Sequence, residues 1–361
     1  MSAHLDHIHW HSFLQRPVLQ PPAAEELALL RRRRILITGA GGSIGSALAL
    51  RLAALSPACL VLLEASESHL FALQNVLAEP AIPLLGNAAN PALIDEIFAR
   101  YSPDLVFHAA AFKHVPLLEA HPLEAIENNV FGTQAVVSAA ARRAHVVLLS
   151  TDKSVEPASI LGATKRIAEQ IVLAAGGTAL RLGNVLGSRG SVAEIFAGQI
   201  ATGGPITVTD PAARRYFLTV DEAVHLLLAA AIEPLPPRLL APALPAPHYI
   251  VDFAEFLARH LAPGRSIPVQ FTQARPGDKE DEQLWSASES AHPACAPDLF
   301  DIRFAPIAAA ELQCALASLR AALDARNTAA ALALVRQLVP DYTPGTAVLA
   351  LAGEHATRVT L

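Results

Sequence analysis

The chain has 361 residues, of which 52% are hydrophobic and 17% charged, and its net charge is −6. That length suits one large α/β domain or two closely joined ones, and the acidic balance argues against a general nucleic-acid binder. Mean hydropathy is high at +0.36, yet no apolar run nears the roughly 20 residues that cross a bilayer, so no integral membrane segment is expected.

The opening MSAHLDHIHWH lacks a basic end followed by an apolar stretch, so no secretory signal is read and a cytoplasmic location is expected. His4, His7, His9 and His11 crowd this region. They are read as an arm that frays or docks on a partner subunit, and no metal site is predicted. Arg31 to Arg34 abut an apolar strand and are read as capping its solvent end.

Residues Ile35 to Thr38 form that strand, and TGAGGSIG follows from Thr38 to Gly45. The next helix buries a face of Ile44, Leu48, Leu52 and Leu55. Gly39 suits the tight turn, Gly42 the approach of backbone to a pyrophosphate, and Gly45 the contact of helix with strand. Ser43 and Ile44 then lie at the helix N-terminus, where unpaired amides and the dipole attract phosphate. A second strand, Cys59 to Leu63, stops at Glu64, 19 residues after Gly45, where a carboxylate takes ribose hydroxyls. A carboxylate there repels a 2′-phosphate, so NAD is expected as cofactor ahead of NADP.

Further strands are predicted at Pro83–Leu85, Leu105–His108, Val146–Leu149 and Ala179–Leu182. Alternation with helix-length segments predicts an α/β fold with a doubly wound parallel sheet, a Rossmann architecture. Its site should lie beyond the strand carboxyl ends, where Ala109, Ala110, Ala111 and Ser150-Thr151-Asp152-Lys153 fall. The expected division is an arm (1–34), a dinucleotide-binding domain (35–184), a substrate region interleaved with the last sheet elements (185–304) and a helical C-terminal segment (305–361). The proline-dense stretch 233–247 is read as a loop. Leu312, Ala315, Leu319 and Leu323 make a helical stripe that covers the core. Cys59, Cys295 and Cys314 are read as reduced.

Only four of the 27 basic residues are lysines: Lys113, Lys153, Lys165 and Lys279. Lysine can lose its proton where arginine cannot. All four lie in motifs, in AFKHVP, STDKSV, GATKR and RPGDKE, which points to an enzyme that needs amines.

The glycine turn, the strand-end alanines and LGATK together resemble the extended short-chain dehydrogenase/reductases. STDKSVEPASILGATKR, RLGNVLGSRGSV, ARRYFLT and RPGDK narrow the resemblance to the nucleotide-sugar 4,6-dehydratases of bacterial polysaccharide biosynthesis and protein glycosylation. It runs from about Phe13 to Pro344, and includes the FLQRPV segment that follows a membrane region in long members of the family. Their best-known members act on UDP-N-acetylglucosamine, so the resemblance implies a UDP-sugar substrate. It also implies oxidation at carbon 4, loss of water across carbons 5 and 6, and hydride return to carbon 6.

On this resemblance Asp152 is assigned as acid and Lys153 as base, its pKa lowered by burial. Thr151 would hydrogen-bond the carbon 4 hydroxyl, and Lys165 would hold the nicotinamide ribose. Lys113 and His114 are expected near the sugar or its diphosphate, Asn184 and Arg189 at the mouth of the substrate region, Arg215 and Arg275 as diphosphate clamps, Tyr216 against the base or sugar, and Lys279 as substrate-binding or in a charged helix start. Asn129 is read as structural or as a proton relay, Glu119 as a loop tie. Two departures stand out. Leu161 replaces the tyrosine that short-chain enzymes place four residues before the lysine, which leaves proton transfer at carbon 4 to Thr151 or a water and points to retention at carbon 5. Asn87 replaces an aspartate near the adenine. Pairing of subunits into a homo-oligomer is also implied. A UDP-sugar 4-epimerase and a catalytically silent dinucleotide-binding protein remain as alternatives.

Overall fold

The computed structural model describes residue 5 and residues 7–141, 143–232, 237–273, 275 and 277–353. Six strands follow one another with helices between: β1 (Arg34–Thr38), β2 (Cys59–Glu64), β3 (Ile82–Leu85), β4 (Leu105–His108), β5 (His145–Thr151) and β6 (Thr178–Leu182). They pair in parallel in the order β3-β2-β1-β4-β5-β6. Strands buried on both faces read as near-continuous apolar runs, as Ile35, Leu36 and Ile37 show with no exposure.

Growth of the sheet reverses between β1 and β4, and the crevice above such a switch point is where α/β sheets bind ligands. Thr38 and His108 stand in register at this point. Their side chains are hydrogen-bonded, with 2.7 Å between Thr38 Oγ1 and His108 Nδ1, and Thr133 sits 3.0 Å from the other ring nitrogen. Burial, and then the charge of Lys165, lower the His108 pKa to about 3, so the ring is a neutral strut.

Beyond β6 the fold departs from expectation. The proline-dense stretch contains the strand Arg238–Pro242, which pairs in parallel with β6. Leu239, Leu240 and Ala241 are buried, and the proline takes the last strand position, where its missing N–H costs little. Leu299–Arg303 and Ser290–Pro293 then add two antiparallel strands, completing a nine-stranded sheet.

From Phe13 to Arg16 the amino-terminal segment is docked on the body of the chain, where a frayed or partner-docked arm was expected. Phe13 packs against Phe217, Phe253 and Phe256 with ring centroids 5.0–5.6 Å apart. Arg16 forms two hydrogen bonds to the buried Glu222, at 2.7 and 2.9 Å. His4 lies outside the described residues, and among the described residues no cluster of His, Cys, Asp or Glu is arranged to hold a metal. The stripe Leu312, Ala315, Leu319 and Leu323 is buried against Ile126, Leu161 and Ile167, so the C-terminal helices cover the core. Cys59, Cys295 and Cys314 are free thiols, and no described helix is long and apolar enough to cross a membrane.

Candidate active site

A cleft of about 780 Å³ opens over the carboxyl ends of β1, β4, β5 and β6. Its floor is the glycine turn, and here the backbone leaves no room for a side chain. A Cβ on Gly39 would lie 2.7 Å from the Ala110 nitrogen, and one on Gly45 2.1 Å from the Gly39 carbonyl oxygen. Gly39 also has φ +68°, the left-handed region that favours glycine. The turn runs into the helix Ser43–Ala53, so its free amides face the cleft. Gly42, Ser43, Ile44, Ala109 and Ala111 complete this part of the wall.

Three predicted cofactor residues lie off that wall. Glu64 sits below the turn and accepts hydrogen bonds from the Gly41 and Ser66 amides, at 2.8 and 2.9 Å. Ala110 packs behind Gly39. Asn87 is exposed and accepts from the Ala89 amide at 2.8 Å.

The reactive end is built where β5 stops. Ser159 caps the helix Ile160–Ala174, which presents both Leu161 and Lys165 to the cleft. Burial depresses the Lys165 pKa to about 8 despite the opposing charge of Glu169. Thr151, Lys153 and Asn184 also line the cleft. Lys153 Nζ donates to Asp152 Oδ1 at 3.0 Å and to Asn184 Oδ1 at 3.1 Å, and Thr151 Oγ1 donates to the same Asp152 oxygen at 2.9 Å. Asp152 is fully buried behind Lys153, and its Oδ2 has no hydrogen-bond partner among the described residues.

The charge state of Lys153 corrects the expectation of a lysine base. Burial works to lower its pKa, but Asp152 and Glu282 together raise it above the ordinary lysine value. Lys153 therefore rests as an ammonium. Asp152 moves upward too, chiefly by burial.

A fully buried ion-pair network holds this end in place. Glu169 Oε1 accepts from Ser150 Oγ and Ser154 Oγ, both at 2.6 Å, and so brackets Thr151–Lys153. Arg181 grips Glu169 on one side and Glu289 on the other, at 2.7–3.0 Å. A π-helical turn, Ile126–Phe131, carries Asn129. Asn129 bonds the backbone of Phe112 in both directions and the hydroxyl of Thr164, so its observed role is to fix the Lys113 loop against the Lys165 helix. Glu119 accepts from the Ile160 amide at 2.7 Å, a loop tie.

At the mouth, Lys113 and His114 line the cleft, and Lys113 Nζ donates to the Arg189 carbonyl at 2.7 Å. Arg189 crosses the glycine turn, its guanidinium on the Gly41 carbonyl and its amide on Ser43 Oγ. Arg215 and Arg275 do not face the cleft as clamps would. Arg215 donates to the carbonyls of Arg214, Lys279 and Glu280, and the exposed Arg275 pairs with Asp278 at 3.1 Å. Tyr216 is half-buried behind Gly183, and its carbonyl accepts from the Asn184 amide at 2.7 Å. Lys279 is in no helix; it donates to the Val155 carbonyl and lies 3.6 Å from Glu282. Sequence reasoning passed over Glu282, whose RPGDKEDE setting reads as a charged helix start. It also missed Phe217 and Phe253, which wall the cleft.

Residues 35–303 match the family described as polysaccharide biosynthesis protein. Over 292 residues the chain is 38% identical to the capsular polysaccharide biosynthesis protein CapD of Staphylococcus aureus, an alignment covering 75% of this chain and 49% of CapD. It thus spans about half the length of that relative. It is 32% identical over 281 residues to the UDP-glucose 4-epimerase of Rickettsia canadensis, with 72% of this chain and 79% of the epimerase covered. Among solved structures, Pen from Bacillus thuringiensis matches with a TM-score of 0.71 at 30% identity, covering 77% of this chain and 90% of Pen.

Proposed function

We propose, because the chain belongs to the polysaccharide biosynthesis protein family of extended short-chain dehydrogenase/reductases, that it is an NAD-dependent 4,6-dehydratase acting on UDP-N-acetylglucosamine. The observation that carries this reading is the Thr151-Asp152-Lys153 cluster at the end of β5, in which Thr151 and Lys153 share the cleft wall with Lys165 and both bond the acid buried behind them. A 4-epimerase has no leaving hydroxyl to protonate, so such a pair favours elimination.

The glycine turn fits a dinucleotide diphosphate, since a Cβ at Gly39 or Gly45 would collide with backbone. The carboxylate of Glu64 beside the turn favours NAD over its 2′-phosphorylated form. When bound, NAD supplies the reversible hydride acceptor. Lys165 holds the ribose beside it. Thr151 orients the carbon 4 hydroxyl, a task that Leu161, with no hydroxyl, leaves to it.

The resting charges reverse the roles drawn from resemblance. Lys153, an ammonium, gives a proton to the carbon 6 oxygen as the C–O bond breaks and water leaves. Asp152, whose raised pKa makes it the more basic carboxylate, takes the carbon 5 proton through Thr151, which lines the cleft and donates its hydroxyl to the buried carboxylate. The 3.0 Å contact between the two then returns that proton to Lys153. The proton released from the carbon 4 hydroxyl passes to solvent, and solvent supplies the one that carbon 5 regains as hydride goes to carbon 6. The protein thus ends each cycle as it began.

The test is incubation with UDP-N-acetylglucosamine in heavy water, read by proton NMR and mass spectrometry. A 4-keto-6-deoxy product with deuterium at carbon 5 is expected, and its coupling constants give the stereochemistry. Epimerised sugar with no loss of water would favour an epimerase instead. A Gly45→Ala variant is expected to cost about 1–3 kcal/mol through overpacking. It should also be purified without the dinucleotide that acid denaturation releases from the wild type.

A further inference from the structure

We propose that Glu282 is the permanent counterion of Lys153, a positioning residue that frees Asp152 to exchange protons instead of being spent on neutralising the ammonium. The proposal rests on the dehydratase reading for the reaction it serves, but its electrostatic content is independent of it.

The geometry separates the two carboxylates that share Lys153. Glu282 Oε1 lies 3.5 Å from Lys153 Nζ and 3.9 Å from Arg215 Nε, and Oε2 lies 3.6 Å from Lys279 Nζ. Three cations thus face one carboxylate whose side chain is 3% exposed. Asp152, with its side chain fully buried, has Lys153 as its only ion-pair partner among the described residues and keeps one oxygen unbonded. Glu282 Oε2 likewise has no hydrogen-bond donor among the described residues. What separates the two acids is one cation at Asp152 against three at Glu282. A proton is accommodated at least cost at the acid with fewer cations.

The remaining groups around the trio do not compete. Asn184 is neutral, Asp281 is paired with Arg214, and the Tyr216 phenol is pushed further from ionisation, chiefly by burial. The segment bearing Glu282 is pinned by Arg215 on the Lys279 and Glu280 carbonyls and by Lys279 on the Val155 carbonyl. Burial raises both acids, but at Glu282 the charges of Lys153, Lys279 and Arg215 outweigh it and hold the group below the usual carboxylate range. Asp152 moves upward, and Glu282 adds to its rise. Neighbouring groups driven apart in this way divide into a fixed charge and a proton carrier.

The experiment is competitive acetylation of the four lysine amines across pH, read by peptide mass spectrometry on the intact, folded protein. Glu282→Gln should lower the labelling midpoint of Lys153 by about one pH unit or more, leaving Lys113 unchanged as an internal reference. With UDP-N-acetylglucosamine the same variant should move the acid limb of kcat/KM to lower pH and reduce kcat with little change in KM. Glu282→Asp, with a shorter carboxylate, should give an intermediate Lys153 midpoint; if the Gln variant does not fold, this variant decides. An unchanged Lys153 midpoint in a folded Glu282 variant would overturn the proposal. A shifted midpoint in a protein whose wild type leaves the sugar nucleotide untouched would sink the dehydratase reading and leave the counterion standing.

Discussion

An Asp152→Asn variant is expected to lose about 10²–10⁴-fold in kcat, the usual contribution of one positioned acid–base group, with its fold intact. Asparagine has the same shape, and its carbonyl can still accept from Lys153 and Thr151. Its amide would replace Oδ2, which already has no hydrogen-bond partner among the described residues, so one orphan replaces another. What disappears is the basicity that burial gives the carboxylate. The acid limb of the pH profile should vanish with it, while dinucleotide content and thermal unfolding stay near wild type. A kcat within tenfold of wild type would remove Asp152 from the chemistry.

The second large effect is on stability. Arg181→Met should destabilise the protein by about 3–5 kcal/mol, because it leaves Glu169 and Glu289 buried without their main counterion. For a chain of this size that corresponds to a fall in Tm of roughly 10 °C, measurable by calorimetry. The pH dependence has a definite sign. Burial alone would raise Glu169, but Arg181 and Arg166 outweigh it and hold its pKa at about 2 in the fold, against an ordinary 4.5. A depressed carboxylate stabilises the fold above its unfolded pKa, and that contribution is lost as pH falls through the folded value. The deficit of the variant should therefore be full above about pH 5 and shrink as the medium is acidified towards pH 2. Activity should fall as well, since Glu169 also fixes Ser150 and Ser154 on either side of the Asp152–Lys153 pair.

What could be read from the sequence is what local physics dictates. Gly39 and Gly45 are required where backbone meets backbone, and β1 to β6 are apolar runs bounded by turns, so both were visible without tertiary information. The strand Arg238–Pro242 was hidden by its prolines, and is made by neighbours distant in the chain, β6 and Leu299–Arg303. Glu282 was hidden for a related reason: RPGDKEDE has the composition of a solvated loop, and only the approach of Lys153 and Arg215 singles out one of its acids for burial. The proton on Lys153 was misread because residue type gives the range of a lysine pKa, whereas two carboxylates, one of them from that loop, decide its direction. Phe13 and Arg16 similarly find their partners some 200 positions later, beyond the reach of any local pattern.

The return of the chain at Arg238–Pro242 has a mechanical consequence. The chain leaves the sheet at the end of β6, at Leu182, and re-enters it one strand away at Arg238, where neighbouring strands are only about 4.8 Å apart. Within that excursion the helix Val220–Ile232 lies back on the sheet with Leu226, Leu227 and Leu228 in the core, so this stretch is held to the body by packing as well as by its two ends. Parting it from the body would expose that apolar core, so a sugar nucleotide is expected to enter past the short loops at the cleft mouth, such as the one that lays Arg189 across Gly41.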